Sequence, residues 1–254
     1  EYILMASALQ RISLTALAAL PDSQKISFFA NLYNAFIVHA TCVLGVCEDS
    51  PAARTAFFSG ASGARYNIGG LEFSPDEMEH GVLRANKRHP YSTPEGQSSY
   101  LDSGDPREVL AIAHANFDPR IHFILNCGAS SCPPIRVLGQ GEEEVKLALK
   151  LASQAYLSAQ VFVEGADNKN SILRLPKLAF WYKADFGSTT AEQASALVAM
   201  LSEDDRTTVL TALALTSPDL AGKAVEVVSS PPESFSPDTV YVMYNDYSWK
   251  PNSV

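Results

Sequence analysis

Cysteine is scarce in this chain: four residues in 254, far below the density of a small disulfide-stapled scaffold. A chain of this length buries roughly three-quarters of its unfolded surface, so it needs neither disulfides nor metal merely to stay folded. Basic residues are also in deficit. Nineteen Lys and Arg stand against 28 Asp and Glu, a formal net charge of −9. That balance argues against a protein that binds nucleic acid through a basic face or docks on anionic lipid. Long hydrophobic runs are missing too. The most apolar stretch, 28–46, is broken by Asn31, Asn34 and His39 short of the ~20 residues a bilayer span requires. There is no P-loop, no Gly-x-Gly-x-x-Gly after a strand, no His-Glu-x-x-His and no Gly-x-Ser-x-Gly, so the commonest nucleotide, zincin and serine-hydrolase signatures are excluded.

What remains is an acidic globular chain whose 46% hydrophobic and 19% charged residues rule out a wholly disordered protein. No internal repeat, low-complexity tract or linker divides it, and a single domain over 1–254 is expected. Its start at Glu1 rather than Met is expected of a fragment or a processed form, and the compartment stays open.

Periodicity predicts the elements. Residues 2–20 are Ala- and Leu-rich and read as a helical extension ending before Pro21-Asp22; the steps of three and four from Ile26 to Leu44 read as a core-facing helix stopped by Gly45. Residues 65–73 alternate around Gly69-Gly70 as a tight hairpin, and Ser74-Pro75-Asp76-Glu77 carries a capping box for a helix to about 86. A polar loop over 87–106, a short helix through Asn116 and a strand at 121–125 follow. Then come an amphipathic helix from Glu142 to Ser158, short strands at 160–164 and 171–175, a helix from Pro176 to Trp181, helices near 189–201 and 203–215, and a strand at 239–245. Helices packed on a small, mostly antiparallel sheet define an α+β fold.

The densest reactive cluster runs from Arg120 to Pro134. A strand there would deliver His122, Asn126 and Cys127 to its end, where a Gly/Ser-rich loop offers amide donors. A thiolate beside such donors suits acyl transfer, which needs a nucleophile and a place for oxyanion charge. On a strand, His122 and Cys127 would point to opposite faces, so the base is expected from elsewhere. His80, in Glu79-His80-Gly81-Val82-Leu83-Arg84, is the best outside candidate. Glu79 can orient it only if the helix is irregular there, and Arg84, one turn on, can hold a carboxylate or substrate. Asn31 and Asn34 share one helix face and either line the site or pin loops.

Other readings compete. Cys127 and Cys132 can form a structural thiol pair or a disulfide, with Cys132 as redox partner. Cys42 and Cys47 read as packing or an incidental disulfide, His122 as a satisfied strand histidine, and His39, His89 and His114 as structural or surface residues. His122, Cys127 and Cys132 with His80 would supply four zinc-type ligands, though without the short Cys-x2-Cys knuckle. No cofactor is called for.

Four blocks occur in order: Phe-Phe-Ala-Asn-Leu-Tyr-Asn (28–34), Glu-His-Gly-Val-Leu-Arg (79–84), the run 118–134 through Asn-Cys-Gly-Ala-Ser-Ser-Cys-Pro-Pro, and Trp-Tyr-Lys-Ala-Asp-Phe-Gly (181–187). Together they resemble the family catalogued as domain of unknown function 547. The end, Tyr244 to Asn252, is similar to that family's closing Tyr-Asp-Trp-x-x-Asn block with altered spacing, so the resemblance runs from about 25 to 252. Phe29 stands where the family usually has Trp, and 87–117 is longer and more polar than the typical connection. Members occur in bacteria and eukaryotes, alone or beside glutaredoxin-like and signalling domains. An association with papain-like or transglutaminase-like cysteine enzymes implies Cys127 as nucleophile, His80 as base and Glu79 as its orienter.

The resulting expectation is a cysteine-dependent hydrolase or acyl/peptidyl transferase acting on an amide or thioester of a small molecule or peptide. Loop amides near Gly128 would hold the oxyanion, with Asn31, Asn126 and Arg84 positioning groups. The alternative is a non-catalytic interaction or regulatory module fused or bound to other domains, and zinc binding is a third reading. Neither nucleic acid nor membrane is an expected partner.

Overall fold

A computed structural model describes residues 2–48, 50–90, 99–165, 171–220, 223–232, 234–236 and 238–251, with side chains from residue 4. Residues 91–98 of the expected polar loop and Asn252 of the closing block lie outside the described residues. The chain is α+β and falls into two compact units, Glu1–Leu149 with Trp249–Val254, and Lys150–Ser248. The boundary at Leu149–Lys150 falls inside a continuous helix, so no Pro- or Gly-rich linker marks it in the sequence.

In the first unit the N-terminal extension is two short helices, α1 (Tyr2–Ala8) and α2 (Leu14–Ala18), rather than one. Ser13 divides them, because its extended backbone and its hydroxyl, which accepts from the Ala16 amide, start a new helix. α3 (Asp22–Leu44) follows as expected and ends at Gly45, whose φ of 87° suits glycine. By length and composition α3 could cross a membrane, but its apolar face packs inside this unit. Phe29 stacks near Phe73, and Phe36 meets Tyr66 edge to face at 4.4 Å. α4 (Pro51–Phe58), capped by Ser50, was not anticipated, although Ser-Pro is a helix-start signal.

β1 (Tyr66–Ile68) and β2 (Leu71–Phe73) form the predicted hairpin. Gly69 and Gly70, with φ of 60° and 91°, supply the two left-handed residues of its tightest turn. The capping box forms as read: the Glu77 carboxylate accepts from the Ser74 amide at 2.7 Å, and the Ser74 hydroxyl accepts from the Glu77 amide at 3.2 Å. What it opens, however, is a π-helical turn over Glu77–Leu83, marked by the Arg84 amide donating to the Glu79 carbonyl five residues back.

The strand expected at 121–125 is instead a 3-10 helix, Pro119–Phe123. Asp118 caps it by accepting from the Arg120 amide, and Pro119 occupies its first position. Ile121, Phe123 and Ile124 are all buried, so both parities are apolar and no single strand face is defined. The helix expected through Asn116 is likewise two 3-10 turns, Glu108–Leu110 and His114–Asn116. α5 (Glu142–Gln160) carries the chain onward.

In the second unit β3 (Phe162–Glu164), β4 (Ile172–Leu175), β5 (Ala224–Val227) and β6 (Thr239–Tyr244) make a sheet ordered β3-β4-β6-β5. β3 pairs antiparallel with β4, but β4–β6 and β5–β6 are parallel. The expected mostly antiparallel sheet is therefore a mixed one here. Sequence-distant strands meet because α6 (Lys177–Trp181), α7 (Lys183–Phe186), α8 (Thr190–Ala199) and α9 (Glu203–Ala212) intervene between β4 and β5. Ile172, Tyr241 and Met243 share one buried cluster with Val228 and Phe235.

Candidate functional site

Two groups of sequence-selected residues occupy the first unit. The Cys127 loop is braced by amide side chains. Asn34, buried on α3, donates to the Ile124 carbonyl and accepts from the Asn126 amide, both at 2.9 Å. Asn126 donates to the Pro133 carbonyl and accepts from the Gly128 amide, each at 2.7 Å. Gly128, with φ of 90°, makes that tight return. The Cys127 amide donates to Cys132 Sγ at 3.2 Å, so one turn brings the two residues together. The Ser130 amide donates to the Lys250 carbonyl, and Ala129 bridges to Pro251. The closing segment thus returns to the cysteine loop, a placement that spacing did not reveal. Asn31 lies apart from this loop: it donates to the Leu138 carbonyl and accepts from the Leu138 amide.

The second group surrounds the π-helical turn. His80 is 1% exposed. Its Nδ1 accepts from the Arg84 guanidinium at 2.8 Å, and its Nε2 lies 3.8 Å from Asp76 Oδ1. His89 meets the His80 ring edge to face, with centroids 4.4 Å apart, and the Tyr100 ring lies tilted against His80 at 5.3 Å. Arg84 also donates to the Arg88 carbonyl. Ala85 and Asn86 both adopt left-handed backbone, with φ of 56° and 54°, a conformation that L residues hold only when the surroundings impose it. Asn86 is clamped by paired bonds to the Leu101 amide and carbonyl. The space beside Gly81 is filled by the Leu101 side chain, which a Cβ there would meet at 2.9 Å.

The electrostatics follow from this burial. Desolvation, with Glu79 and Glu77 adding negative field, pushes Asp76 up to about 8. His80 is held well below its ordinary value, first by burial and then by the Arg84 charge and the two neighbouring imidazoles. Burial and Arg84 bring His89 down to about 4. Glu77 is ion-paired with Arg65 and Arg107, at 3.0 and 2.7 Å.

Glu79 turns away from the role expected of it. Its Oε1 lies 4.0 Å from Nδ1 of His122, which is 3% exposed. The irregular turn that would free Glu79 is present, yet it presents the carboxylate to the histidine five residues before Cys127. His122 had been set aside on strand parity, and the 3-10 geometry at 119–123 removes that ground.

The family model described as protein of unknown function, DUF547, matches residues 17–157, more than half of the 254-residue chain. The chain belongs to this family. The DUF547 match spans Asn31, Glu79, His80, Arg84, His122, Cys127 and Cys132 but stops before the closing block, so it is shorter than the 25–252 suggested by the motifs. No curated protein and no solved structure matches the chain.

Proposed function

We propose that the chain is a cysteine-dependent hydrolase or acyl transferase for amide or thioester substrates, with Cys127 as nucleophile, His122 as base and Glu79 as the group that orients the imidazole. The observation that carries this reading is the approach of Glu79 Oε1 to His122 Nδ1 at 4.0 Å. A carboxylate facing Nδ1 holds the proton there and leaves Nε2 as the basic nitrogen, the arrangement that Cys-His and Ser-His enzymes share. The separation is longer than a hydrogen bond, and such contacts tighten when substrate closes the site. His80 leaves the scheme, because Arg84 takes its Nδ1 and its Nε2 faces Asp76.

Amides 126, 127, 128, 130 and 132 of the loop already donate within the protein. The Cys127 amide donates to a sulfur, a weak acceptor, so it is the donor most readily surrendered to an oxyanion. Gly128, whose amide is held by Asn126, shapes the turn instead.

The test is alkylation of Cys127 by iodoacetamide across pH in the reduced protein, followed by peptide mass spectrometry. The wild-type thiol is expected to titrate well below its free value of about 8.5, and to rise in His122→Asn and Glu79→Gln but not in His80→Asn. A value near 8.5 that none of the three variants moves would end the catalytic reading. It would favour a non-catalytic module, the reading that the structural use of Asn31, Asn34 and Asn126 supports.

A further inference from the structure

We infer that Asp76, His80 and His89 form a binding site for a divalent first-row transition metal of the zinc class. One ligand atom from each of these residues lies within 4.8 Å of the others. A metal with bonds of about 2.1 Å places its donors roughly 3.3 Å apart, so small side-chain rotations close the set. Asp76 and His80 are already at 3.8 Å, because the i,i+4 spacing stacks them on one side of the turn.

The second observation is the state of Asp76. It is 8% exposed, and among the described residues its carboxylate has no closer polar approach than His80 Nε2 at 3.8 Å. Buried carboxylates are ordinarily hydrogen-bonded or paired. Glu77, one residue away, is clamped by two arginines, which shows what a partnered acid in this region looks like. A cation between Asp76 and the two imidazoles gives the carboxylate a closer partner than the 3.8 Å approach of His80 and draws further support from the negative field of Glu77 and Glu79.

Two imidazoles and one carboxylate select for zinc, cobalt, nickel or ferrous ions over magnesium and calcium, which prefer all-oxygen sites. Three protein ligands also leave a coordination position open. Arg84 opposes occupancy, since its guanidinium donates to His80 Nδ1 and thereby places the imidazole proton on Nε2. Metal at Nε2 requires the other tautomer, with Nδ1 protonated. Arg84 can then keep its bond to the Arg88 carbonyl, which it already makes at 3.1 Å. The site uses neither cysteine, so it differs from the four-ligand zinc set read from the sequence and stands whether or not Cys127 is a nucleophile.

Cobalt(II) titration of the whole chain, followed by zinc competition, tests this. One equivalent of cobalt is expected to give visible d–d bands without the near-ultraviolet thiolate charge-transfer band, and zinc should displace it. Asp76→Asn and His89→Gln should each weaken binding at least tenfold, while a Cys127→Ser/Cys132→Ser variant binds as wild type. The wild-type spectrum decides by itself should a variant fail to fold. No stoichiometric binding, a thiolate band, or full affinity in folded Asp76→Asn would overturn the assignment.

Discussion

The cysteine loop and the π-helical turn belong to one compact unit, yet they treat their polar side chains in opposite ways. In the loop, Asn34 and Asn126 spend their amides on backbone carbonyls and N–H groups, leaving little polar capacity for a ligand. Around the turn, charged and titratable side chains meet one another, and Asp76 has only a 3.8 Å approach to His80. The first arrangement fixes the shape of the cysteine loop. The second gathers titratable groups with shifted pKa values, which a fold tolerates where a proton, a metal or a substrate is to be held.

The contrast is broken most severely at Asn34. Replacing it with Ala removes two buried bonds and strands the Ile124 carbonyl and the Asn126 amide, at a cost of about 3 kcal/mol. Urea unfolding with an unchanged m-value should show it, and Cys127 alkylation should lose its pH profile as the loop relaxes. Asn31→Ala, on the same helix but bonded at Leu138, should cost less and leave that profile alone.

An effect of opposite sign is expected at Asp76. Its folded pKa of about 8 lies above its unfolded value near 4, so the folded state holds the extra proton between them. The Asp76 contribution to stability therefore falls as pH rises from about 4 and levels off above about 8. His80 and His89 are shifted downward, so their contributions are lost as pH drops below about 6.5. Together the cluster places an optimum near pH 6.5. In chelator-treated buffer, Asp76→Asn should be more stable than wild type at pH 8 and should lose the decline above pH 6.5. Thermal melts across pH measure this directly, and a wild-type curve that keeps rising to pH 8 would contradict the assigned burial of Asp76.

The sequence exposed the scaffold of this contrast better than its chemistry. α3, the β1–β2 hairpin, the Ser74 capping box, α5 and the helices α6, α8 and α9 of the second unit follow from periodicity and punctuation. The 119–123 segment did not, because Ile121, Phe123 and Ile124 are all buried, and a run apolar at both parities does not distinguish strand from helix. Expecting a strand there is what set His122 aside as a partner for Cys127 and turned the search for a base to His80. His89 was set aside for a different reason. It reaches His80 after two non-glycine residues in left-handed backbone, Ala85 and Asn86, a turn that no residue-type signal announces. The parallel pairing of β4, β5 and β6 depends on contacts between strands about 65 residues apart at β4–β6, beyond the reach of local pattern.

The smallest predicted effect separates stability from site chemistry. Two capping boxes of the same design occur among the described residues. Ser74 and Glu77 open the π-helical turn, and Thr189 and Glu192 open α8 in the second unit. Removing either hydroxyl as Ser74→Ala or Thr189→Ala strands one N-terminal amide and should cost about 1 kcal/mol. The losses are comparable, but the consequences differ. Ser74 holds the start of the turn that sets Asp76, Glu79 and His80, so Ser74→Ala should also weaken cobalt binding and shift the Cys127 titration upward. Thr189→Ala should leave both readouts at their wild-type values. Equal effects of the two variants on those readouts would mean that the turn has no special hold on the site, and that the chemistry follows general stability alone.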